Sequence, residues 1–407
     1  MSRRRVAITG IGAVSSLGLG VEPFWRAILA ARPGIAPIGS VDRSLLRFEY
    51  GAEAREFDPL DHLEPRRADQ IDRFAQLGLV AAREAIRGSG LGITDQSRSR
   101  VAVVTGSCIG GEYAHEQVYV DLFKENRGRV HPLTVPRVMA NAGASHIAME
   151  FGFTGPAFTV ASACASSGHA IGQAFWMVRD GMVDAAVAGG SEAPFTLGNL
   201  KAWEGLRVIA PDTCRPFAKD RRGLILGEGA AMLVLEPLDA ARARGATILA
   251  ELAGCGMSSD AGHLTMPSAE GAAAAMRGAL ADAGIGQEQV GYVNAHGTGT
   301  RANDVTEARA IRAVFDGRAD RLAVSSTKSM HGHALGAASA LEAVATALAL
   351  RDQVFPPTAN FTERDPECDL DVIPNAARAG AFEYALSNSF AFGGLNAVLA
   401  FRRCDAR

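Results

Sequence analysis

The chain has 407 residues, of which 48% are hydrophobic and 45 are glycine, and its formal net charge is −3. This length exceeds one ordinary core and suits two intimately packed halves, and the many glycines are typical of an α/β enzyme with tight strand–helix turns. The slightly acidic balance argues against a general affinity for nucleic acid or anionic membranes. No stretch is long and uncharged enough to span a membrane.

The six cysteines are widely spaced, with no CxxC pair and no metal-ligand spacing. This pattern suits a reducing compartment and does not resemble a disulfide framework. We therefore predict a cytoplasmic protein without a bound metal.

The N-terminal elements come first in chain order. Val6 to Thr9 predicts a strand, and Gly10-Ile11-Gly12 is interpreted as the beginning of a loop. A dinucleotide site is disfavoured because Ser15 stands where the third glycine of that fingerprint belongs. Asp72 to Arg87 has helical spacing, and Val101 to Thr105 predicts a buried strand that ends in the tight loop GSCIGG. Further buried strands are predicted at Asp184 to Gly190 and Ala230 to Leu235.

The stretch Phe158 to Ala174 reads FTVASACASSGHAIGQA. Its β-branched run stops at a Ser-Ala-Cys turn, and small residues then open a helical segment that continues to Arg179. Cys164 is thus predicted at a strand-to-helix elbow, where free N–H groups and the helix dipole favour a thiolate. A lone cysteine among alanines is about as often a small core residue, so the rest of the chain has to decide.

The second half of the chain repeats this element. Residues 160–172 (VASACASSGHAIG) align without gaps with residues 324–336 (VSSTKSMHGHALG). An Arg-Asp pair follows each helical segment, although the second pair lies eight residues further on than the alignment predicts. The repeat indicates a duplicated α/β unit whose two elbows face each other across a pseudo-twofold axis. Cys164 would then meet Lys328 and His333 in one site.

The segment Tyr292 to Thr300 (YVNAHGTGT) delivers His296 from a strand into a glycine-threonine loop. Small neighbours and the absence of an aliphatic face favour a functional histidine over one that satisfies loop carbonyls. A zinc site formed by His296, His331 and His333 is a weaker alternative, because no pattern of supporting acidic residues accompanies it.

Near the end of the chain, Ser387 to Asn396 (SNSFAFGGLN) predicts a glycine turn before the last strand, Ala397 to Phe401. Its backbone could donate an N–H to a reacting carbonyl, or it could be an ordinary hairpin turn.

Four motifs now stand in order along the chain: SACASS, NAHGTGT, SSTKSMHGHALGAA and SNSFAFGGLN. Together they resemble the signatures of β-ketoacyl-[acyl carrier protein] synthases, elongating condensing enzymes of thiolase fold with a Cys-His-His triad. The resemblance covers essentially the whole chain. It implies an α/β thiolase fold of five αβαβα layers, duplicated in pseudo-twofold halves at residues 1–250 and 251–407. The stretch from LKAWEGLRVIAPDTC onward is most similar to nodulation protein E-like synthases, which are implicated in making unusual acyl chains.

This resemblance implies a decarboxylative Claisen condensation on chains carried by the phosphopantetheine of an acyl carrier protein, with no other cofactor. Cys164 would carry the acyl chain, and His296 and His333 would each donate an N–H to the enolate formed from the malonyl thioester. The backbone N–H groups of Cys164 and Phe392 would form the oxyanion hole. Phe392 and Gly393 match a gate that moves between acyl transfer and malonyl entry.

The resemblance assigns supporting roles to further positions. Lys328 and Glu342 would hold the geometry and charge of the histidines, and Thr298 and Thr300 would bind the pantetheine arm. Ile109 matches an acyl-pocket position, and Thr134 stands where a bulky side chain of the partner subunit is usual. Positions matching or beside carrier-protein docking sites are Arg66, Arg67, Arg129 and Arg207. A structural monovalent cation is implied at Glu342, Ser387, Asn388 and Asn294.

Two positions depart from the family pattern. Ala391 precedes the gating phenylalanine where glycine is usual, which restricts φ and puts the dynamics of the gate in doubt. Leu395 replaces the usual threonine.

The family is homodimeric, so a homodimer is expected and a heterodimer is the alternative. The competing function is a non-catalytic partner of the chain-length-factor type, although such a partner characteristically lacks the cysteine that is present here. A thiolase, a cysteine hydrolase and a non-enzymatic acyl-carrier binding module explain fewer of the motifs.

Overall fold

The computed structural model describes residues 3–404. Its strands are β1 Val6–Ser15, β2 Gly18–Leu19, β3 Ala36–Pro37, β4 Tyr50–Gly51, β5 Val101–Gly106, β6 Ala157–Val160, β7 Ala185–Glu192, β8 Gly229–Pro237, β9 Ala250–Ser259, β10 Val290–Asn294, β11 Ala323–Ser325, β12 Val354–Phe355, β13 Asp371–Val372, β14 Arg378–Ala379, β15 Tyr384–Ala391 and β16 Leu395–Arg402.

The α-helices are α1 Val21–Leu29, α2 Pro65–Asp69, α3 Arg73–Ser89, α4 Glu112–Tyr119, α5 Thr134–Val138, α6 Ala142–Phe151, α7 Ser166–Arg179, α8 Leu197–Leu206, α9 Leu238–Ala243, α10 Ala269–Ala283, α11 Arg301–Phe315, α12 Lys328–His331 and α13 Ala338–Asp352. Among residues 3–404, no helix combines the length and the apolar character needed to cross a bilayer.

The main sheet has the strand order β6-β5-β7-β8-β1-β9-β16-β15-β10-β11-β13, and β2 pairs with β1. Apart from the additional end strand β13, this order is symmetric about the junction of β1 and β9. In each direction the inner pairs are antiparallel and the outer pairs are parallel. The junction itself is short and antiparallel, running from Val6 opposite Leu252 to Ile8 opposite Ala250. The predicted duplication is therefore visible in the sheet.

Two helices, α7 and α13, lie between the halves of the sheet and contact both of them. Every residue of α13 from Ala338 to Leu350 is buried, as expected for a helix without a solvent face. Helix α3 covers the outer face of the first half-sheet, and α10 covers that of the second. The five layers αβαβα confirm the predicted fold.

The predicted helix over Asp72 to Arg87 is α3. It begins where the Asp72 carboxylate accepts the N–H of Phe74 at 3.3 Å and ends at Gly90, whose φ of +60° terminates the helix. The buried strands predicted from Val101, Asp184, Ala230 and Ala397 are β5, β7, β8 and β16.

The loop predicted at Gly10-Ile11-Gly12 is wrong, because β1 continues through these residues to Ser15. The glycines are needed for a different reason. A Cβ atom on Gly10 would lie 2.0 Å from the carbonyl oxygen of Ala85, and one on Gly12 would lie 2.0 Å from that of Ala81. They therefore allow α3 to pack directly on β1.

The gapless repeat alignment holds only as far as the second elbow. Ser166 begins α7 two residues after Cys164, whereas Lys328 is itself the first residue of the short α12 and the long helix α13 begins only at Ala338. The second elbow thus contains extra residues, which explains the displaced Arg-Asp pair. His333 lies in this extra segment and has no structural counterpart in α7.

Candidate active site

Cys164 lies in a tight elbow between β6 and α7. Ala163 has a φ of +48°, an unfavourable value for alanine. The turn is held by the Ser166 hydroxyl, which accepts the N–H of Ser162 at 2.9 Å and donates to the carbonyl of Ala163 at 2.6 Å. The elbow directs the thiol toward a cleft that contains both predicted histidines.

The thiol of Cys164 is buried, and burial raises its pKa to about 11. The charge of Lys328 and the backbone N–H groups of Phe392 and Cys164 act in the opposite direction but do not outweigh the loss of hydration. The N–H groups thus favour a thiolate as expected, but burial has the larger effect, and the thiol must lose its proton when it reacts.

His296 is held by two buried carboxylates of α11. Glu307 accepts the backbone N–H of His296 at 2.8 Å and that of Gly297 at 2.7 Å. Asp304 accepts the backbone N–H groups of Thr298 and Gly299 at 3.1 and 3.2 Å. Neither acid is among the residues predicted from the sequence. The available signal was a pair of carboxylates three residues apart, directly after the helix N-cap at Thr300.

Lys328 is fully buried behind His296. Its ammonium group donates to the carbonyl oxygen of His296 at 2.7 Å and lies 3.2 Å from Nδ1 of the same ring. It also forms an ion pair with the buried carboxylate of Glu342. An ammonium group can only donate, so Nδ1 accepts and the ring proton resides on Nε2. Burial and the Lys328 charge hold the pKa of His296 well below its ordinary range, so the ring is neutral.

His333 lies across the cleft, with its ring centroid 5.4 Å from that of His296 and the two planes at 85°. Its backbone N–H donates to the carbonyl of Ile225 at 2.7 Å. Burial holds its pKa well below the ordinary range. His331 does not converge with these rings, because its Nε2 lies 2.9 Å from the Thr327 hydroxyl and it does not line the cleft. The structure therefore gives no support to the three-histidine alternative.

The gate segment is a hairpin turn between β15 and β16. Gly393 and Gly394 have φ values of +83° and +70°, which favour glycine. The half-buried Phe392 precedes them and lines the same cleft as Cys164, and its backbone N–H acts to lower the pKa of the thiol. Ala391 lies within β15, paired with Leu395, and has no positive φ. In this conformation alanine is thus accommodated without backbone strain.

Thr298 and Thr300 also line the cleft, and their hydroxyl oxygens lie 2.8 Å apart. The two predicted acyl-pocket residues lie elsewhere. Ile109 packs with Leu335 on the apolar cluster whose members Leu224 and Trp203 form part of the cleft wall, and Thr134 begins α5 beside exposed side chains.

A buried carboxylate, Glu192, connects the Ile109 loop to the segment that follows His333. It accepts the Ser107 hydroxyl at 2.8 Å and the N–H groups of Cys108, Ile109 and Gly336 at 2.7, 3.3 and 3.0 Å. Glu192 is not among the residues predicted from the sequence. A carboxylate that ends an apolar strand was the available signal.

The four predicted docking arginines are separated along the chain. Arg66, Arg129 and Arg207 are exposed, whereas Arg67 forms an ion pair with Glu150. Arg207 directly follows α8 and precedes Val208, which lines the cleft.

A buried cysteine at a strand–helix elbow, opposite two neutral histidines in a duplicated αβαβα fold, defines a condensing enzyme of the thiolase-fold class. Residues 3–241 match the family model "Beta-ketoacyl synthase, N-terminal domain", and residues 249–362 match "Beta-ketoacyl synthase, C-terminal domain". The chain belongs to the β-ketoacyl synthase family and is an acyltransferase-type condensing enzyme.

The chain is 49% identical to nodulation protein E of Rhizobium sp. (strain N33) over 400 residues, covering 98% of this chain and 99% of that protein. It is 40% identical to 3-oxoacyl-[acyl-carrier-protein] synthase 2 of Staphylococcus aureus (strain N315) over 410 residues, covering 99% of both. Among solved structures, the ishigamide ketosynthase/chain length factor matches with a TM-score of 0.94 and 37% identity, covering 99% of this chain and 100% of that one. These similarities confirm the predicted resemblance.

Proposed function

We propose that Cys164 is the acyl-carrying nucleophile of a 3-oxoacyl-[acyl carrier protein] synthase that performs a decarboxylative Claisen condensation. The observation that carries this proposal is one cleft lined by the Cys164 thiol and two neutral histidines. The substrates are acyl and malonyl chains on the phosphopantetheine of an acyl carrier protein. No other cofactor takes part.

In the first half-reaction, Sγ of Cys164 attacks the thioester carbonyl and the bond to the pantetheine sulfur breaks. Because the high pKa of Cys164 keeps the thiol protonated at rest, its proton is transferred to the departing pantetheine sulfur, which leaves as a free thiol. The N–H groups of Cys164 and Phe392 stabilise the oxyanion, and such donors contribute a few kcal/mol each, roughly 3.

In the second half-reaction, malonyl thioester loses carbon dioxide and its enolate carbon attacks the acyl carbonyl on Cys164. The bond between the acyl carbon and Sγ breaks, which releases the 3-ketoacyl thioester and returns Sγ of Cys164 as a thiolate that is then protonated. The enolate oxygen accepts hydrogen bonds from His296 and His333. The Lys328 contact with Nδ1 supports this role for His296, since it leaves the Nε2–H free to donate. Lys328 and Glu342 are positioning residues. Thr298 and Thr300 bind the pantetheine arm, and Gly393 allows Phe392 to move.

The protein acts as a homodimer in this proposal, with Thr134 reaching the acyl pocket that Ile109 lines in the partner. Strand β6 pairs on one side with β5, and its Phe158 is exposed. Val135 and Met139 beside Thr134 are exposed as well. An unpaired edge with apolar surroundings is suited to pairing with a second copy. A heterodimer with a chain-length-factor-type subunit is the alternative.

The acidic carrier protein docks near the cleft through Arg66, Arg129 and Arg207, with Arg67 shared between the carrier and Glu150.

We also propose that the boundary between the two halves of the chain lies between residues 250 and 251. The free state of the six cysteines supports a cytoplasmic location.

A monovalent cation fits next to the Lys328–Glu342 pair. Asn294 Oδ1, Glu342 Oε2, Ser387 Oγ and Asn388 Oδ1 are buried, and none has a hydrogen-bond partner within the described residues. Such oxygens are the ligands that hard cations prefer. The positive charge of the ion would balance the negative charge on the second carboxylate oxygen of Glu342. The side chains in the cleft, and not the ion, would perform the chemistry.

The test is the intact mass of the protein after incubation with acyl carrier protein thioesters of different length and unsaturation, followed by malonyl carrier protein. Acyl mass on the wild type but not on Cys164→Ala, discharged as a 3-ketoacyl product, supports the synthase. Cys404→Ala is the matched control and should load normally. Absence of loading with every thioester, with or without a second subunit, would favour the non-catalytic alternative.

A further inference from the structure

The gate segment makes an aromatic contact that none of the roles above uses. The ring of Phe392 stacks on Trp203, with centroids 6.1 Å apart and an interplanar angle of 21°. Trp203 also lines the cleft that contains Cys164. Aromatic pairs at this separation attract one another beyond the area that they bury. The contact therefore favours the gate position in which Phe392 lies in the cleft beside Cys164.

Trp203 is the fixed member of this pair. Its neighbours anchor α8 to the preceding surface segment, since Lys201 Nζ donates to the carbonyl of Leu45 at 2.8 Å and Glu204 accepts the N–H of Arg47 at 2.6 Å. The indole packs on a buried apolar cluster that includes Phe195, Leu200 and Leu224. A displacement of Trp203 would therefore disturb several elements at once.

Phe392 is the adjustable member. It is half-buried and precedes two glycines, whose backbones have wide conformational freedom. Backbone hydrogen bonds hold the turn itself: Gly393 N–H donates to the carbonyl of Leu264 at 2.7 Å, and the carbonyl of Gly394 accepts the N–H of Asp260 at 2.9 Å. The phenyl ring is restrained separately, by its stack on Trp203.

We propose that Trp203 is a positioning residue that holds Phe392 over Cys164 and sets how often the gate opens. This inference rests on the proposed function, in which Phe392 moves between acyl transfer and malonyl entry. Opening separates the phenyl ring from the indole, so the stack stabilises the closed gate alone. The same contact then completes the oxyanion hole and limits access to the thiol.

The test measures the rate at which iodoacetamide alkylates Cys164, followed by intact mass, because this small electrophile reports access without synthase activity. Trp203→Ala should react about two- to tenfold faster than the wild type, the range expected for loss of one aromatic pair. Trp203→Phe keeps a stacking ring and should react at nearly the wild-type rate. If Trp203→Ala does not fold, Trp203→Leu keeps apolar volume in the cluster and takes its place.

A double-mutant cycle with Phe392→Ala distinguishes an effect of Trp203 that acts through Phe392 from a direct effect of Trp203 as part of the cleft wall. If the stack is the cause, Trp203→Ala has no further effect once Phe392 is alanine. An equal acceleration in both backgrounds would overturn the proposal, as would a wild-type rate in Trp203→Ala. If alkylation follows the expected pattern but no thioester loads Cys164, the positioning role stands and the proposed function fails.

Discussion

Nζ of Lys328 lies 3.2 Å from Nδ1 of His296, inside a site where both side chains are buried. This contact fixes the tautomer of the ring, and the Glu342 carboxylate on the other side of Lys328 compensates its charge. Glu342, Lys328 and His296 therefore form a row in which Glu342 and Lys328 orient the imidazole ring of His296.

This arrangement predicts that a second substitution can restore the stability of a Lys328 variant without restoring its activity. Lys328→Met should cost about 3–5 kcal/mol of unfolding free energy, because it leaves Glu342 buried without its partner. Lys328→Met combined with Glu342→Leu should recover much of that stability in urea unfolding, yet still fail to decarboxylate malonyl thioester. Recovery of decarboxylation in the double variant would contradict a positioning role for Lys328.

The histidines should separate the two half-reactions. His296→Ala and His333→Ala should accept an acyl group on Cys164 but lose malonyl decarboxylation by about 100-fold or more, since each removes one donor to the enolate. Intact mass measures loading, and release of labelled carbon dioxide measures decarboxylation. His331→Ala is a control that lies outside the cleft. Full condensation by either cleft variant would refute its assigned role.

The thiol of Cys164 should show a high apparent pKa. With a pKa of about 11, the thiolate fraction and hence the alkylation rate rise about tenfold per pH unit through the neutral and mildly alkaline range. Iodoacetamide labelling from pH 6 to 9.5, followed by peptide mapping, measures this slope. A plateau above pH 7 would instead indicate a thiolate stabilised by the helix N-terminus.

Glu192 should affect substrate choice as well as stability. Glu192→Ala leaves one hydroxyl and three N–H groups without their acceptor, which should cost about 3 kcal/mol or more in urea unfolding. Because the Ile109 loop loses its anchor, the preferred acyl length in the loading assay should shift or broaden. Glu56→Ala, which removes an exposed carboxylate, is the control. An unchanged length profile in a folded Glu192 variant would argue against this coupling.

The glycines of β1 should be intolerant of a side chain. Gly10→Ala should destabilise the protein by about 2 kcal/mol or more, because its Cβ would overlap the carbonyl oxygen of Ala85. Gly88→Ala is the matched control on α3, where the added Cβ meets nothing within 4 Å, and should stabilise by about 0.5–1 kcal/mol. Thermal unfolding compares the two. A neutral Gly10→Ala would contradict the close helix–strand packing.

Much of the fold was readable from the sequence because its elements are strongly patterned. Strands such as β5 and β7 are continuous apolar runs, and α3 carries its own start at Asp72 and stop at Gly90. The loop predicted at Gly10 failed because glycine marks a turn and a close helix approach equally well. Only the position of α3 in the structure shows that Gly10 serves a close helix approach and not a turn.

The sequence by itself determined the motifs around Cys164, His296, Lys328 and His333, their order and the duplication, because catalytic groups and repeats are covalent features of the chain. The tertiary structure decided how these groups behave. Burial outweighs the backbone N–H groups at Cys164 and raises its pKa. Residues distant in sequence make the contacts around the cleft: Glu192 joins the Ile109 loop to Gly336, and Trp203 stacks on Phe392. Hydration and long-range contact depend on three-dimensional packing, which local pattern does not encode.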